Sequence, residues 1–193
     1  MSPDLEVLVA PSRVFARCAA DDAPATIWIA IRRPALVALV LGATAAIAAT
    51  DHVDARLLLS TTFCWSFVPA LQLALAAALI AARPRPTIAW RRLIDLAFLS
   101  HTPWSLWLLG YSAWEMLTPV WTRPTNILIW IAPLPAIWTS AILVSYCRDV
   151  LRRSTRAALV GTAAHQTATW GLVLLYIGWA VQLWPRLIGF WRT

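Results

Sequence analysis

Five long apolar runs dominate the chain: Pro34 to Thr50, Leu57 to Ala82, Leu93 to Leu117, Ile127 to Cys147 and Ala157 to Trp184. A bilayer core of about 30 Å is crossed by about 20 helical residues, so each run is near the length of one crossing, the first being the shortest. The links between them are short and polar, with no room for a separate soluble domain. Hydrophobic residues make up 60% of the 193 and charged ones 13%, against roughly 45–50% and 25% in soluble domains. In lipid every backbone N–H and C=O must be satisfied within the protein, which restricts such runs to helices. The expected fold is all-α: a polytopic integral membrane helix bundle with about five transmembrane helices. Residues 1–33 form a cytoplasmic N-terminal segment, 34–184 the transmembrane domain, and 185–193 a short tail.

Arginine sets the orientation. The chain has no lysine and a net charge of +7, and its arginines cluster between the apolar runs. Arg13, Arg17, Arg32 and Arg33 precede the first run; Arg83, Arg85, Arg91 and Arg92 lie between the second and third; Arg148, Arg152, Arg153 and Arg156 lie between the fourth and fifth. The alternate side holds only Arg56, Arg123, Arg186 and Arg192. The positive-inside bias then predicts a multi-pass protein of a bacterial inner membrane, with the N-terminus cytoplasmic and the C-terminus periplasmic or extracellular. Dispersed arginines also argue against nucleic acid, which would demand one basic face. Cys18, Cys64 and Cys147 are too scattered for a disulfide framework or a zinc motif.

The first 33 residues are expected to contain a short interfacial helix capped by Ser12, with Val14, Phe15 and Cys18 on its apolar side and Trp28 at the membrane interface. A cleaved signal ending near Ala46-Ile47-Ala48 is the alternative for the first run. The long acidic stretch before it, with Asp4, Glu6, Asp21 and Asp22, favours an uncleaved span.

Small residues at three- and four-residue steps predict close helix packing, since they let backbones approach in lipid. They run through Ala35, Ala38, Gly42, Ala45 and Ala49; through Ala70, Ala74, Ala77 and Ala81; and through Ala157, Gly161, Ala164, Ala168, Gly171 and Gly178. Gly42, Gly161, Gly171 and Gly178 are the expected contact points, within one chain or between copies. Trp104, Trp107, Tyr111 and Trp114 make an aromatic ridge on the third span, read as packing or an interfacial belt in preference to a cofactor wall. Pro69, Pro103, Pro133 and Pro135 fall well inside spans two to four and predict kinks.

Polar groups at depth are His101, His165, Gln72, Gln166, Gln182 and Glu115, while Asp95 near a span end is expected to pair with Arg91 and Arg92. His101 and His165 each lie eight residues past the start of their runs, about 12 Å along helices that run in the same direction. Equal depth suits two imidazoles that ligate one haem iron or metal, or that hydrogen-bond neighbouring hydroxyls such as Ser105 and Thr169. Asp51, His52 and Asp54 read as a solvated turn. No nucleophile elbow, phosphate loop or zinc-protease motif occurs, which disfavours an enzyme.

The Pro11-x-x-x-Phe15 opening, the run from Tyr146-Cys147-Arg148 through Arg153-Ser154-Thr155-Arg156-Ala157, and the five closely spaced spans together resemble the bacterial branch of the Yip domain family. That resemblance implies a non-catalytic membrane-organising or scaffold role, without a cofactor, acting through the lipid bilayer and through contacts with itself or other membrane proteins. The alternative is a small membrane subunit of a redox or transport complex, with His101 and His165 as haem or metal ligands.

Overall fold

Helices form along the apolar runs, and prolines decide where they are cut. A computed structural model describes residues 2–20, 26–50, 52–82, 88–118 and 130–179. Among these residues there is no strand. A single turn, α1 (Pro3–Glu6), is followed by α2 (Pro11–Ala19), α3 (Ile27–Thr50), α4 (Ala55–Trp65), α5 (Phe67–Ala81), α6 (Trp90–Leu99), α7 (Thr102–Leu117) and α8 (Pro133–Ser145). A π-helical turn, Tyr146–Val150, extends α8, and α9 (Thr155–Gly178) completes the order.

The prolines expected to kink spans from within instead begin helices. Pro69, Pro103, Pro133 and Pro135 occupy the first turns of α5, α7 and α8, where a backbone donor has no intrahelical partner to lose. The second run is thereby divided at Ser66 and the third at Ser100 and His101. Pro34 alone of the five stands inside a helix, α3. That helix starts at Ile27, so Trp28, Arg32 and Arg33 belong to it instead of flanking it.

Two stretches, Ile27–Ala48 and Ala55–Ala81, are long and apolar enough to cross a membrane, with mean hydropathies of 1.5 and 1.9. Among the described residues, the other three expected spans do not meet that measure. The third is broken at His101, and α8 has 13 residues preceded by positions 119–129, which lie outside the described residues. The 24 residues of α9 reach about 36 Å, but Thr162, His165, Gln166 and Thr169 lower its apolarity.

The tightest packing lies where α2, α6 and the π turn meet. Phe15, Leu93, Ile94 and Tyr146 are fully or almost fully buried there. The Phe15 ring meets Tyr146 edge-on with centroids 5.8 Å apart, and the Tyr146 hydroxyl donates to the Leu93 carbonyl at 3.0 Å. The N-terminal helix expected to lie on the membrane surface therefore buries Val14 and Phe15 in the bundle. Ala10, not Ser12, is its cap residue, and Pro11 opens it. Arg17 donates to Glu6 at 2.6 Å, and that hydrogen bond is the main reason the Glu6 carboxyl is held below its ordinary range.

One ion-paired network closes the same end. Asp95, 5% exposed, accepts from Arg33 Nε at 2.8 Å and from Arg32 Nε at 3.3 Å, and Arg33 also pairs with Asp4. Sequence reasoning assigned Asp95 to Arg91 and Arg92. The extension of α3 past Pro34 brings Arg32 and Arg33 across from α6 instead.

Candidate functional site

The break between α6 and α7 places the first element of the site. Pro103 cannot donate to the Leu99 carbonyl four residues earlier, and the Thr102 hydroxyl donates there instead at 2.9 Å. The Ser100 hydroxyl donates to the Ala97 carbonyl at 2.6 Å. With the freed carbonyls served by hydroxyls, His101 becomes the cap residue of α7 and is 5% exposed. His165 arrives from the middle of α9, on a buried stripe with Ala158, Thr162 and Thr169.

The two imidazoles face each other with centroids 5.5 Å apart and planes inclined at 52°. They are at matched depth, eleven residues from the start of α6 and ten from the start of α9, or roughly 15 Å along each helix. His101 Nδ1 lies 3.4 Å from the Ser100 hydroxyl. His101 Nε2 and both ring nitrogens of His165 have no hydrogen-bond partner among the described residues. Ser105 and Thr169, the hydroxyls four residues on, are thus not their partners. Two imidazoles sharing a metal at about 2 Å from each nitrogen would set their centroids roughly 6 Å apart, close to the spacing observed. Among the described residues no group of three or more His, Cys, Asp or Glu side chains gathers to complete such a shell.

The histidines stand between two hollows. His101 lines a half-open chamber of about 330 Å³ walled by α3, the end of α4, α5, α7, α8 and α9. His165 lines a smaller one of about 210 Å³ between α5 and α9, together with Arg153, whose Nη2 donates to the Leu79 carbonyl at 2.8 Å. The aromatic ridge forms one wall of the larger chamber. Trp104 and Trp107 stack at 4.9 Å and 17°, Trp107 and Tyr111 at 5.5 Å and 12°, and Trp170 of α9 meets Trp104 edge-on. Trp114 continues the row beside Tyr111, whose hydroxyl donates to Glu115 at 2.7 Å.

Besides Tyr111, polar side chains lining the larger chamber are Thr44, Gln72, His101, Thr139, Gln166 and Thr169, of which Thr44 donates to the Val40 carbonyl and accepts from Ser112. Gln72 Oε1, His101 Nε2, the two threonine hydroxyls and Gln166 Nε2 are buried without a partner among the described residues. Gln182 lies outside those residues. Thr139 and Thr162 were not singled out from sequence, and Thr169 was named only as a hydroxyl that His165 could bond. The signal for Thr162 and Thr169 is present, because they place a hydroxyl three residues before His165 and four after it.

The small-residue seams face differently from expectation. On α5 the inward stripe is Val68, Gln72, Ala76 and Ile80, while Ala70, Ala74, Ala77 and Ala81 are exposed. On α9, Ala164, Ala168 and Gly178 are exposed, and among the described residues a Cβ at Gly171 or Gly178 would meet nothing within 4 Å. Gly161 does pack within the chain, 3.0 Å from Leu79 Cδ2 measured from an added Cβ. Gly42 packs hardest, against Thr62 of α4, and the Thr61 hydroxyl donates to the Gly42 carbonyl at 2.8 Å.

Near the start of α4, Asp54 caps the helix by accepting from the Leu57 amide at 2.8 Å, and exposed His52 bonds the Thr50 carbonyl at 2.8 Å. Asp51 lies outside the described residues. The pair has the hydrogen bonding of a turn and a helix cap.

No family model matches the chain, and no curated protein or solved structure matches it. The resemblance to the Yip domain family rests on its quoted residues alone, of which Phe15 and Tyr146 touch.

Proposed function

We propose that this chain is an integral membrane protein of about five crossings that holds a small, lipid-soluble ligand between its helices, as a small subunit of a redox or transport assembly. The membrane reading is supported by the outer surface: Phe63, Leu117, Leu175 and Trp130 are each more than 70% exposed. Apolar side chains so arranged are stable against lipid and form an aggregation surface in water. The arginine asymmetry supports a cytoplasmic N-terminus in a bacterial inner membrane.

The observation that carries the ligand reading is the set of five unpartnered polar atoms on side chains lining one chamber. Each such group costs about 1–3 kcal/mol when buried without a partner, and because each atom is closed to water as placed, a ligand removes that cost by drawing the side chain toward the chamber. A purely scaffolding bundle has no use for that cost, so the interaction role implied by the Yip resemblance is the second reading.

The test is to purify the protein in mild detergent, record its visible spectrum, and analyse a solvent extract by mass spectrometry. The expected result is one neutral, non-phospholipid molecule near one per chain, lost in an Ala136→Trp variant that fills the chamber. An extract with nothing beyond membrane lipid would return the protein to the scaffold reading. A Soret band altered equally by His101→Ala and His165→Ala would assign the pair to haem, since losing one axial imidazole changes the ligand field of the iron.

A further inference from the structure

We infer that the smaller hollow, between α5 and α9, is a groove that seats an anionic phospholipid of the cytoplasmic leaflet, with Arg153 on its phosphate. The inference rests on the membrane reading and is independent of what occupies the larger chamber.

Charge sets the sign of the occupant. Arg153 lines the groove, and among the described residues its guanidinium meets one acceptor, the Leu79 carbonyl at 2.8 Å. Of the chain's nine acidic residues, all but Asp21, Asp22 and Asp51 are described. None of those described lines the groove or forms an ion pair with Arg153, and this includes Asp149, four residues earlier. A guanidinium beside apolar walls and without a carboxylate favours an anion, and its fork of N–H groups matches a phosphate. Arg152 and Arg156, both exposed, flank it in the chain and strengthen the attraction of an anionic membrane surface.

The walls select a lipid over a soluble anion. Apart from Arg153 and His165 the groove is lined by Leu75, Ala78, Leu79 and Ala82 of α5 and its end, and by Gly161 and Ala164 of α9. Ala78, Ala82 and Ala164 are exposed, so the groove opens on the outer face of the helices. Its floor is closed, because a Cβ added to Gly161 would stand 3.0 Å from Leu79 Cδ2. A soluble anion gains nothing from such walls, whereas an acyl chain covers them.

Depth agrees with one leaflet. Arg153 lies two residues before α9 begins, and Leu79 lies two residues before α5 ends. Both belong to the side whose links carry the arginine clusters, the expected cytoplasmic side. His165, at the inner end of the groove, is ten residues into α9, about 15 Å along the helix and half of a bilayer core of about 30 Å. Its ring nitrogens are closed to water as placed, so recognition rests on Arg153 at the headgroup.

The test is native mass spectrometry of the full chain, extracted from membranes and purified in mild detergent. The protein is incubated with equimolar dioleoyl phosphatidylglycerol and dioleoyl phosphatidylcholine, and separately with glycerol 3-phosphate. The expected result is one retained phosphatidylglycerol per chain, preferred over phosphatidylcholine by about fivefold, and no retained glycerol 3-phosphate. Arg153→Gln should abolish the preference, while Arg148→Gln, exposed and outside the groove, should leave it. Ala164→Phe fills the groove from an exposed position and should release the lipid, which keeps the test decisive if Arg153→Gln does not fold. Equal retention of the two lipids, or a preference that survives both Arg153→Gln and Ala164→Phe, would overturn the site. So would a preference that Arg148→Gln removes as fully as Arg153→Gln, since that marks general attraction to a basic surface. Glycerol 3-phosphate retained as well as phosphatidylglycerol would replace the lipid with a soluble anion. These outcomes leave the membrane reading intact; a chain found in the soluble fraction of lysed cells would overturn that reading and the lipid site together.

Discussion

Gly42 of α3 lies so close to Thr62 of α4 that a Cβ on the glycine would stand 2.6 Å from the Thr62 backbone nitrogen and its Cα. The obstruction is backbone, which cannot rotate aside, and the Thr61 hydroxyl already bonds the Gly42 carbonyl across the same contact. Close approach here needs glycine because of the distance between helix axes, not because of the backbone angle.

Gly42→Leu should therefore separate α3 from α4 and destabilise the protein by about 3 kcal/mol, the upper range for overpacking. Gly171→Leu should change stability by less than about 0.5 kcal/mol, as at an open surface site, because a Cβ there would meet no neighbouring helix within 4 Å among the described residues. Thermal unfolding in detergent, followed by tryptophan fluorescence, compares the two. A Gly171→Leu protein that keeps its unfolding temperature but changes oligomeric state would place that face between copies.

Asp95→Asn should loosen the end of the bundle where α1, α3 and α6 meet. The carboxylate is 5% exposed and joins Arg33, 13% exposed, to Arg32, 44% exposed. Breaking a buried pair by removing one partner costs about 3–5 kcal/mol. The partial exposure of Arg32 puts the expected loss near about 3 kcal/mol, read as a lower unfolding temperature. Hydrogen exchange should rise first in α1 and the start of α3, because Arg33 then loses its charged partner on α6. Unchanged exchange there would mean that the helix contacts alone hold this end.

The arginine split predicts opposite locations for the two chain ends. Reporter fusions should give a cytoplasmic signal at the N-terminus and a periplasmic one at the C-terminus. Both ends on one side would reject an odd number of crossings. A mature N-terminus near Ala49 would show that the first run is removed as a signal, which would also remove the buried Ala46 and Ile47 and the α3 side of the Asp95 network.

Much of the fold was legible in the sequence because apolar runs and helix formation are local. Runs of bilayer length place the helices, and prolines mark their divisions, although only the structure showed that Pro103 and Pro133 open helices instead of bending them. The shared depth of His101 and His165 was also readable, since rise per residue converts position into distance along a helix. Which face of each helix turns inward was not. Small residues and polar residues occupy different stripes of α5 and α9, and sequence spacing marks both without ranking them. Packing ranked them, burying Gln72 and His165 and leaving Ala74 and Ala168 exposed. The meeting of Phe15 with Tyr146, of Asp95 with Arg32 and Arg33, and of five unpartnered polar groups around one chamber each joins segments far apart in the chain. Such contacts depend on how helices rotate and cross, and that is decided by the fit of whole surfaces, which no local pattern contains.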